Sequence, residues 1–566
     1  MNAVHHARAV LLAATLVLGA CGARAPVEAD ASPLAYVPAD TAFVMANREP
    51  LPEASVNAWS RQMQGAWPVM IGMYEKMLTG LATSADDPQA ATALRVANAL
   101  IAELKSLDTI DKWVAVGFTT KARAALYAVG LVPVLRIELG DPDAFRAMVA
   151  RIEANSGARL GTLDVDGRSV WTIDLEKLRG LIAIEGRQLV TSVLPANADE
   201  ALLRRVLGFE RPQQNLAASA ALAALEQAEG YQPYFSGWLD LRRIVALVDR
   251  DPGYRAFAAL AGNAPAPALD DICRAELDGL FAQMPRMVFG YTQLDASRMR
   301  ASARIDLAAP VAQSLLTLSA PPPGSNAPAD AIYDVAVSLP VIKLKDFLLA
   351  RIEPVVASPY KCAAFSDWNA KAAEMKKQLS QFVPPPLSDF TGLRLTLDRF
   401  SWPADGEPNF AARLLIATSN PQALIGMAQM TLPALAQVSI PTDGTPVTLP
   451  ADVIPGSIGQ SPTLRVAMDA KAVALAAGDA DLKAYLDAPA ASDGQLMRLA
   501  FSGALYSIVG DMMGRFGTML PTEDQVDLAA QRDLYALYAK WIKQGDIRVN
   551  ATPKGLELVQ DIEMVP

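Results

Sequence analysis

Residues 160–192 read LGTLDVDGRSVWTIDLEKLRGLIAIEGRQLVTS, and this stretch decides the fold class. It contains two pairs of apolar runs, and a short turn joins the members of each pair: Asp166-Gly167 in the first and Glu185-Gly186 in the second. An Asp-Gly pair between alternating apolar runs is a strong signal for a β-hairpin. The stretch therefore predicts consecutive antiparallel hairpins.

Helical patterns and further strand-like runs surround these hairpins. Apolar periodicity predicts helices at residues 54–79, 90–107, 142–155, 199–206, 218–227 and 269–283. Because most strands come as hairpins separated by helical blocks, we expect an α+β fold. Each sheet should be mainly antiparallel, with helices packed on one face.

Three short sequence matches indicate that this unit occurs twice. They are PADTAF (38–43) with PADAIY (328–333), Asp141-Pro142 with Asn420-Pro421 after a strand-like run, and FSG (235–237) with FSG (501–503). The matches keep their order along the chain. We therefore expect two tandem related α+β units at residues 34–320 and 329–566, joined by a Pro/Gly/Ser-rich linker at residues 321–328.

The N-terminus has the pattern of an export signal. Residues 1–21 read MNAVHHARAVLLAATLVLGAC, in which Arg8 precedes an apolar run that is shorter than a bilayer requires. The last four residues, Leu18-Gly19-Ala20-Cys21, resemble the lipobox of bacterial lipoproteins. That resemblance implies removal of a signal peptide at residues 1–20 and lipidation of Cys21. Residues 21–33 would form a flexible tether. An ordinary secretory signal with a chance cysteine is the alternative.

Two further resemblances concern location. Gly22 stands where such lipoproteins carry an aspartate when they stay in the inner membrane, so the resemblance implies the periplasmic face of the outer membrane. Residues 34–52 (LAYVPADTAFVMANREPLP) are similar to periplasmic lipoproteins of Gram-negative bacteria without a known activity. The similarity therefore implies the compartment in which the protein is located, and it carries no information about a reaction.

Composition excludes several kinds of chemistry. The chain has 566 residues, a net charge of −10 and two histidines, His5 and His6, both within the expected signal peptide. A mature chain without histidine cannot use a Ser-His-Asp or Cys-His site or bind zinc through imidazole. The acidic balance without a basic stripe also argues against nucleic acid as a partner. The length exceeds one core of ~250–300 residues, so at least two domains are required.

Three cysteines leave one pair once Cys21 is lipidated. Cys273 and Cys362 would lie in an oxidising compartment, which favours a disulfide between them. Two buried free thiols are the alternative. If the disulfide forms, it links the end of the first unit to the early helices of the second.

Other motifs have structural explanations that compete with chemical ones. Ser358 and Lys361 match the S-x-x-K pattern of serine hydrolases with a lysine base, but neither K-T-G nor S-D-N follows. Asp164-x-Asp166-Gly167 resembles the start of a calcium loop, although a hairpin turn accounts for the same residues. Methionines at 63, 70 and 77 form a helical stripe that suits a core face or an adaptable apolar site.

These patterns favour a non-enzymatic binding or scaffold module of the cell envelope, with no catalytic residues, metal or cofactor. We expect the membrane as a partner through the lipid anchor, together with an envelope protein, peptide or lipid, and no nucleic acid. A hydrolase of an envelope polymer, using carboxylates or a Ser-Lys pair, is the alternative.

Overall fold

The computed structural model describes residues 32–82, 88–175, 178–248, 250–251, 269–328, 330–403, 406, 408–453, 463–478, 480–517 and 522–565. The expected signal peptide, Cys21 and the tether up to residue 31 lie outside these residues. The chain divides into two compact units. Unit 1 runs to Phe281 and includes Pro285–Ala301, and unit 2 comprises Ala282–Met284 and Ser302–Val565. Residues 321–328, the expected linker, belong to unit 2.

The sheet of unit 1 has nine strands: β1 (Phe43–Ala46), β2 (Ala124–Val129), β3 (Val132–Glu138), β4 (Gly161–Val165), β5 (Arg168–Leu175), β6 (Leu178–Glu185), β7 (Gln188–Pro195), β8 (Ser236–Asp240) and β9 (Arg286–Leu294). Each pairing is antiparallel, in the spatial order β9-β8-β1-β2-β3-β7-β6-β5-β4. Strand β10 (Arg298–Asp306) includes the division between the units.

Unit 1 has these helices: α1 (Glu53–Ala82), α2 (Pro88–Ser106), α3 (Ile110–Ala115), α4 (Pro142–Ser156), α5 (Glu200–Leu207), α6 (Leu216–Ser219), α7 (Ala221–Glu229), α8 (Leu241–Leu247) and α9 (Asp271–Phe281). The predicted α+β class is therefore confirmed. Asp141 caps α4 by accepting hydrogen bonds from two backbone amides of its first turn, and Pro142 occupies the first helical position.

Both hairpins of residues 160–192 are present. Strands β4 and β5 meet across Asp166 and Gly167, whose φ angles of 54° and 74° match the left-handed turn that a two-residue hairpin requires. Strands β6 and β7 meet across Gly186 and Arg187, one residue later than expected, because Glu185 pairs with Gln188. The antiparallel pairing of β4 with β5 and of β6 with β7 thus agrees with the turn residues in the sequence.

Helices cover both faces of the unit 1 sheet, whereas the sequence predicts helices on one face. Helices α5, α6 and α7 pack on one face, where their leucines meet Val44, Tyr127 and Val190. Helices α1 to α4 pack on the opposite face, against Ile182 and Leu189. Neighbouring strand residues such as Leu189 and Val190 are both buried, so the apolar side chains of these strands extend to both faces.

The sheet of unit 2 contains the strands β11 (Tyr333–Ser338), β12 (Phe390–Ser401), β13 (Asn409–Thr418), β14 (Val447–Thr448), β15 (Leu464–Met468), β16 (Ala472–Ala477), β17 (Gln495–Ser502), β18 (Ile542–Thr552) and β19 (Gly555–Met564). All pairings are antiparallel, in the order β19-β18-β17-β11-β12-β13-β16-β15-β14.

The helices from Ala309 onward are α10 (Ala309–Leu316), α11 (Val341–Ala357), α12 (Ser366–Leu379), α13 (Pro421–Thr431), α14 (Leu482–Asp487), α15 (Ala504–Gly517) and α16 (Thr522–Trp541). Helix α14 packs on one face of β13, β15 and β16, and α13 packs on the opposite face.

Eight strands follow the same order in the two units. The order β9-β8-β1-β2-β3-β7-β6-β5 in unit 1 corresponds to β18-β17-β11-β12-β13-β16-β15-β14 in unit 2. One row across the sheet runs Trp238, Val44, Tyr127, Val134, Ser192 in unit 1 and Ala500, Asp334, Thr396, Arg413, Ala476 in unit 2. The first two sequence matches have the same offset along the chain as the nearby row members, Val44 with Asp334 and Val134 with Arg413. The third lies on the equivalent strands but is displaced along them.

Candidate functional site

Charged side chains occupy the buried face of the unit 2 sheet. Asp334 on β11, Arg394 on β12 and Arg498 on β17 are all less than 5% exposed, and Thr396 is 1% exposed. Side chains of one strand alternate between the two faces, so every second residue of these strands points to this polar face. Burial of such groups is costly unless each is paired and hydrogen-bonded.

Asp334 and Arg394 form a buried ion pair, although Arg394 Nη1 has no hydrogen-bond partner among the described residues. Arg394 Nε donates to Asp334 Oδ1 at 3.0 Å and Nη2 donates to Oδ2 at 2.8 Å, a bidentate arrangement. Thr396 Oγ1 adds a hydrogen bond to Asp334 Oδ1 at 3.3 Å. The remaining nitrogen, Nη1, lies against Gly324, where any Cβ would collide with it. Glycine at 324 is therefore required by the packing of the guanidinium as well as by its φ of +76°.

Tyr485 on α14 closes this cluster. Its hydroxyl lies 2.8 Å from Thr396 Oγ1, and the guanidinium groups of Arg394 and Arg413 lie 4.5 and 4.4 Å from its ring centroid. Burial raises the pKa of Tyr485 to about 12, against the smaller lowering effect of Arg394. The cluster is a closed network of packed charges, in which cation–π contacts supplement the ion pair.

A second charged group lies on the same face. Asp546 on β18 accepts hydrogen bonds from Arg498 Nε at 2.9 Å and from Arg548 Nε at 2.8 Å. Burial raises the pKa of Asp546, but the hydrogen bonds from Arg548 and Arg498 outweigh it and leave the pKa below its usual value. Arg498 Nη1 also donates to the carbonyl of Ala327, at 2.6 Å.

The opposite face of the same strands is aliphatic and incompletely covered. Leu395 on β12 is 44% exposed and Leu558 on β19 is 42% exposed. The remaining members are half-buried: Val335, Val337, Leu393, Leu397, Met497, Leu499, Ile547 and Val549. We call these ten residues the open apolar face. They are cross-strand neighbours, since Val335 pairs with both Leu395 and Leu499, and Leu499 pairs with Ile547.

This arrangement reverses the usual orientation of an amphipathic sheet, which buries its apolar face. In β12 the leucines at 393, 395 and 397 alternate with Arg394, Thr396 and Asp398, and the polar set is the better buried one. The alternation is visible in the sequence. Its orientation is not, because the usual rule would place the leucines inside.

Unit 1 also buries an arginine, but without a carboxylate. Arg136 on β3 is fully buried and donates to Gln188 Oε1 at 3.0 Å and to the Leu207 carbonyl at 2.8 Å. Its guanidinium lies 3.8 Å from the ring centroid of Tyr36. Among the described residues it forms no ion pair. The carbonyl at the C-terminal end of α5 is a favourable partner for a cation. The hydrogen bonds to Gln188 and Leu207 and the contact with the Tyr36 ring therefore explain the burial of Arg136 by a structural role.

Cys273 and Cys362, the two cysteines that the sequence pairs, are both disulfide-bonded. Cys273 lies on α9 and Cys362 precedes a short 3₁₀ helix at Ala363–Phe365, and both side chains are buried. Cys21, the predicted lipidation site, is outside the described residues.

Ser358 and Lys361 are both exposed, and Ser358 ends α11. The Ser358 hydroxyl makes no hydrogen bond within the described part of the chain. In the part of the chain that the structure describes, no side chain accepts a hydrogen bond from this hydroxyl, and its exposure leaves it open to water.

The acidic residues of the first hairpin have structural partners. Asp164 Oδ1 accepts the backbone N–H of Gly167 at 3.0 Å, and Asp166 forms an ion pair with Arg204 at 2.5 Å. This confirms the hairpin interpretation over a calcium loop. The described residues contain no group of three or more histidine, cysteine or acidic side chains that could hold a metal ion.

The methionine stripe of α1 is partly core. Met63 packs against the cluster that includes Trp67, whose Nε1 donates to the Leu104 carbonyl at 2.8 Å. Met70 is half-buried, and the side chain of Met77 is outside the described set.

Comparison with protein-family models, with curated proteins and with solved structures finds no match to this chain. In the part of the chain that the structure describes, no helix combines the length and hydropathy needed to cross a membrane.

Proposed function

We propose that this chain is a lipid-anchored lipoprotein of the bacterial envelope that acts without catalysis, and that unit 2 binds an extended hydrocarbon chain on its open apolar face. The observation that carries this proposal is the reversed sheet. Asp334 and Arg394 are buried, while Leu395 on the same strand is 44% exposed. A contiguous apolar patch on a folded protein marks an interaction site more often than chance exposure does.

The chemistry of the face favours an acyl chain as the ligand. Its ten members are aliphatic or methionine side chains, which provide contact area and no directional hydrogen bonds. A hydrocarbon gains about 25 cal/mol for each Å² of apolar surface removed from water and has no polar group that would need a partner. A sugar or a peptide backbone would leave its hydrogen-bonding groups unsatisfied on such a surface.

The envelope location and the anchor are part of the proposal. Residues 18–21 have the lipobox pattern, and Gly22 favours the periplasmic face of the outer membrane. A disulfide between Cys273 and Cys362 suits an oxidising compartment. The exposed position of Ser358 and Lys361 favours a binding protein over a Ser-Lys hydrolase.

We also propose that the two units are copies of one ancestral unit. Eight strands share their order, and equivalent sequence positions such as Val44 and Asp334 occupy the same place in it. Helices α5 and α14 follow the equivalent strands β7 and β16, and an aspartate caps each helix.

The test is titration of the mature chain, exported with an ordinary secretory signal so that the disulfide forms, with a fluorescent polyene fatty acid. We expect saturable binding, and Leu395→Gln should weaken it by about tenfold, as expected when one well-buried aliphatic contact of ~1.5 kcal/mol is lost. Met430→Gln is the matched control, because Met430 is 81% exposed and lies on α13, outside the open apolar face. Absence of saturable binding, or equal affinity of the Leu395 and Met430 variants, would contradict the proposal.

A further inference from the structure

Unit 2 carries a second exposed apolar feature, separate from the open apolar face. Phe382 is 82% exposed and lies three residues after the end of α12, with Leu387 at 45% and Ile342 on α11 at 39% exposure. A phenylalanine this exposed loses the free energy that burial would provide. We call the segment 380–387 together with Ile342 the Phe382 tip.

The tip is held in place by its neighbours. The Ser380 amide donates to the Lys376 carbonyl at 2.9 Å and the Gln381 amide donates to the Gln378 carbonyl at 3.2 Å, so the helical turn continues to the residue before Phe382. Lys345 Nζ on α11 donates to the Gln381 carbonyl at 2.9 Å. Helix α11 also packs against the 3₁₀ turn Leu387–Asp389. Phe382 is therefore exposed on a turn that hydrogen bonds and packing hold in place.

Basic residues outnumber acidic ones in the segment that carries the tip, although the whole chain is acidic. Residues 341–387 contain seven lysines and arginines and four aspartates and glutamates, whereas the whole chain has a net charge of −10. Within the described residues, Lys343, Lys376 and Lys377 take part in no ion pair. Lys376 and Lys377 lie in the last turn of α12, next to the tip. Their charges are thus available to a partner.

An anionic phospholipid surface fits this combination. Exposed aromatic and aliphatic side chains enter the boundary between headgroups and acyl chains, while neighbouring lysines meet anionic headgroups. A second copy of the chain is disfavoured as the occupant, because it would bring the same positive charges together. We propose that the Phe382 tip docks unit 2 on the surface of a membrane that contains anionic phospholipid.

This contact adds a second membrane attachment beside the expected lipid anchor. One attachment restricts the chain to the membrane, and the tip would orient unit 2 on it, since linking two weak sites raises the effective concentration of the second. The proposal does not depend on ligand binding at the open apolar face.

The experiment is sedimentation of the mature chain, from Gly22 onward and without acyl groups, with phosphatidylcholine vesicles that contain or lack phosphatidylglycerol. We expect binding to the anionic vesicles only, and high salt should weaken it. Phe382→Ser should reduce the partition coefficient by about tenfold. The double variant Lys376→Gln/Lys377→Gln should reduce it by about 25-fold, which corresponds to fivefold for each lysine.

Met430→Ser provides the matched control, since Met430 is 81% exposed on the same unit and has no lysine or arginine in its helix. It should bind the vesicles like the unsubstituted chain. No binding to either vesicle, equal binding to both, or equal loss for Phe382→Ser and Met430→Ser would overturn the proposal. A concentration-dependent dimer that Phe382→Ser abolishes would assign the tip to a second copy.

Discussion

Arg394 donates two nearly parallel hydrogen bonds to Asp334 across β12 and β11, and the two side chains are 4% and 5% exposed. Both residues point to the same face of the sheet. A shift of β12 by one residue would turn Arg394 away from Asp334 and bury the leucines of β12 instead. The ion pair therefore fixes the register in which the aliphatic side chains stay open.

Removal of one partner should be more harmful than removal of both. Asp334→Ala leaves Arg394 buried without a carboxylate, and we expect a loss of about 3–5 kcal/mol in the free energy of unfolding. The double variant Asp334→Leu/Arg394→Met should recover most of that loss, since apolar residues of similar volume replace a buried pair well. Urea titration followed by circular dichroism measures both. Equal destabilisation of the single and the double variant would contradict this account.

Tyr485 should make unit 2 sensitive to alkaline pH. Its pKa is raised from 10.0 to about 12, so its contribution to stability is complete below pH 10 and lost as the pH rises to about 12. Two pK units correspond to about 2–3 kcal/mol. Thermal unfolding of Tyr485→Phe should show a flatter dependence between pH 10 and 12 than the unsubstituted chain does. Parallel curves would show that Tyr485 does not titrate in this range.

The disulfide should stabilise the chain through its long loop. Cys273 and Cys362 close a loop of roughly 90 residues, for which the loop-entropy model gives about 4–5 kcal/mol. We expect Cys273→Ser/Cys362→Ser to lower the melting temperature, and peptide mapping without reductant should recover the linked peptides from the oxidised protein. Recovery of two free thiols from protein isolated from the periplasm would refute the bond.

Cys21 should carry the lipid anchor. Labelled palmitate should enter the unsubstituted protein and fail to enter Cys21→Ser, because the acyl groups attach through this cysteine in proteins with a lipobox. After a wash at high salt, which removes contacts made by the Phe382 tip, the variant should leave the outer-membrane fraction. Retention of both the label and the membrane association would exclude the lipobox assignment.

Much of the fold could be predicted from local sequence. The turn at Asp166-Gly167 gives the first hairpin because only a few residues tolerate its left-handed φ angles. The capping residues Asp141 and Asn420, each followed by proline, mark the starts of α4 and α13. These features depend on residues adjacent in the chain, and the sequence contains all of them.

Other features required contacts between distant parts of the chain. The coverage of both faces in unit 1 depends on helices α5 to α7, which lie far in sequence from β1 and β2. The sequence alone does not predict the Phe382 tip. A phenylalanine near prolines is a candidate for the core, and only its surroundings in the fold show that it is exposed. A cluster of lysines beside a single aromatic residue is the signal that could have found it.

The α+β class, the hairpins, the two cysteines available for pairing and the lipobox-like N-terminus can be recognised in the sequence, because each follows from short-range chemistry or composition. Which face of the unit 2 sheet is buried depends instead on contacts between residues far apart in the chain. The alternation along β12 allows two orientations of the strand: either its leucines or its polar side chains can point to the buried face. The choice is made by the partners Asp334 and Tyr485, 60 and 89 residues away in sequence from Arg394 and Thr396 respectively, which satisfy the buried charge and hydroxyl and leave the leucines open.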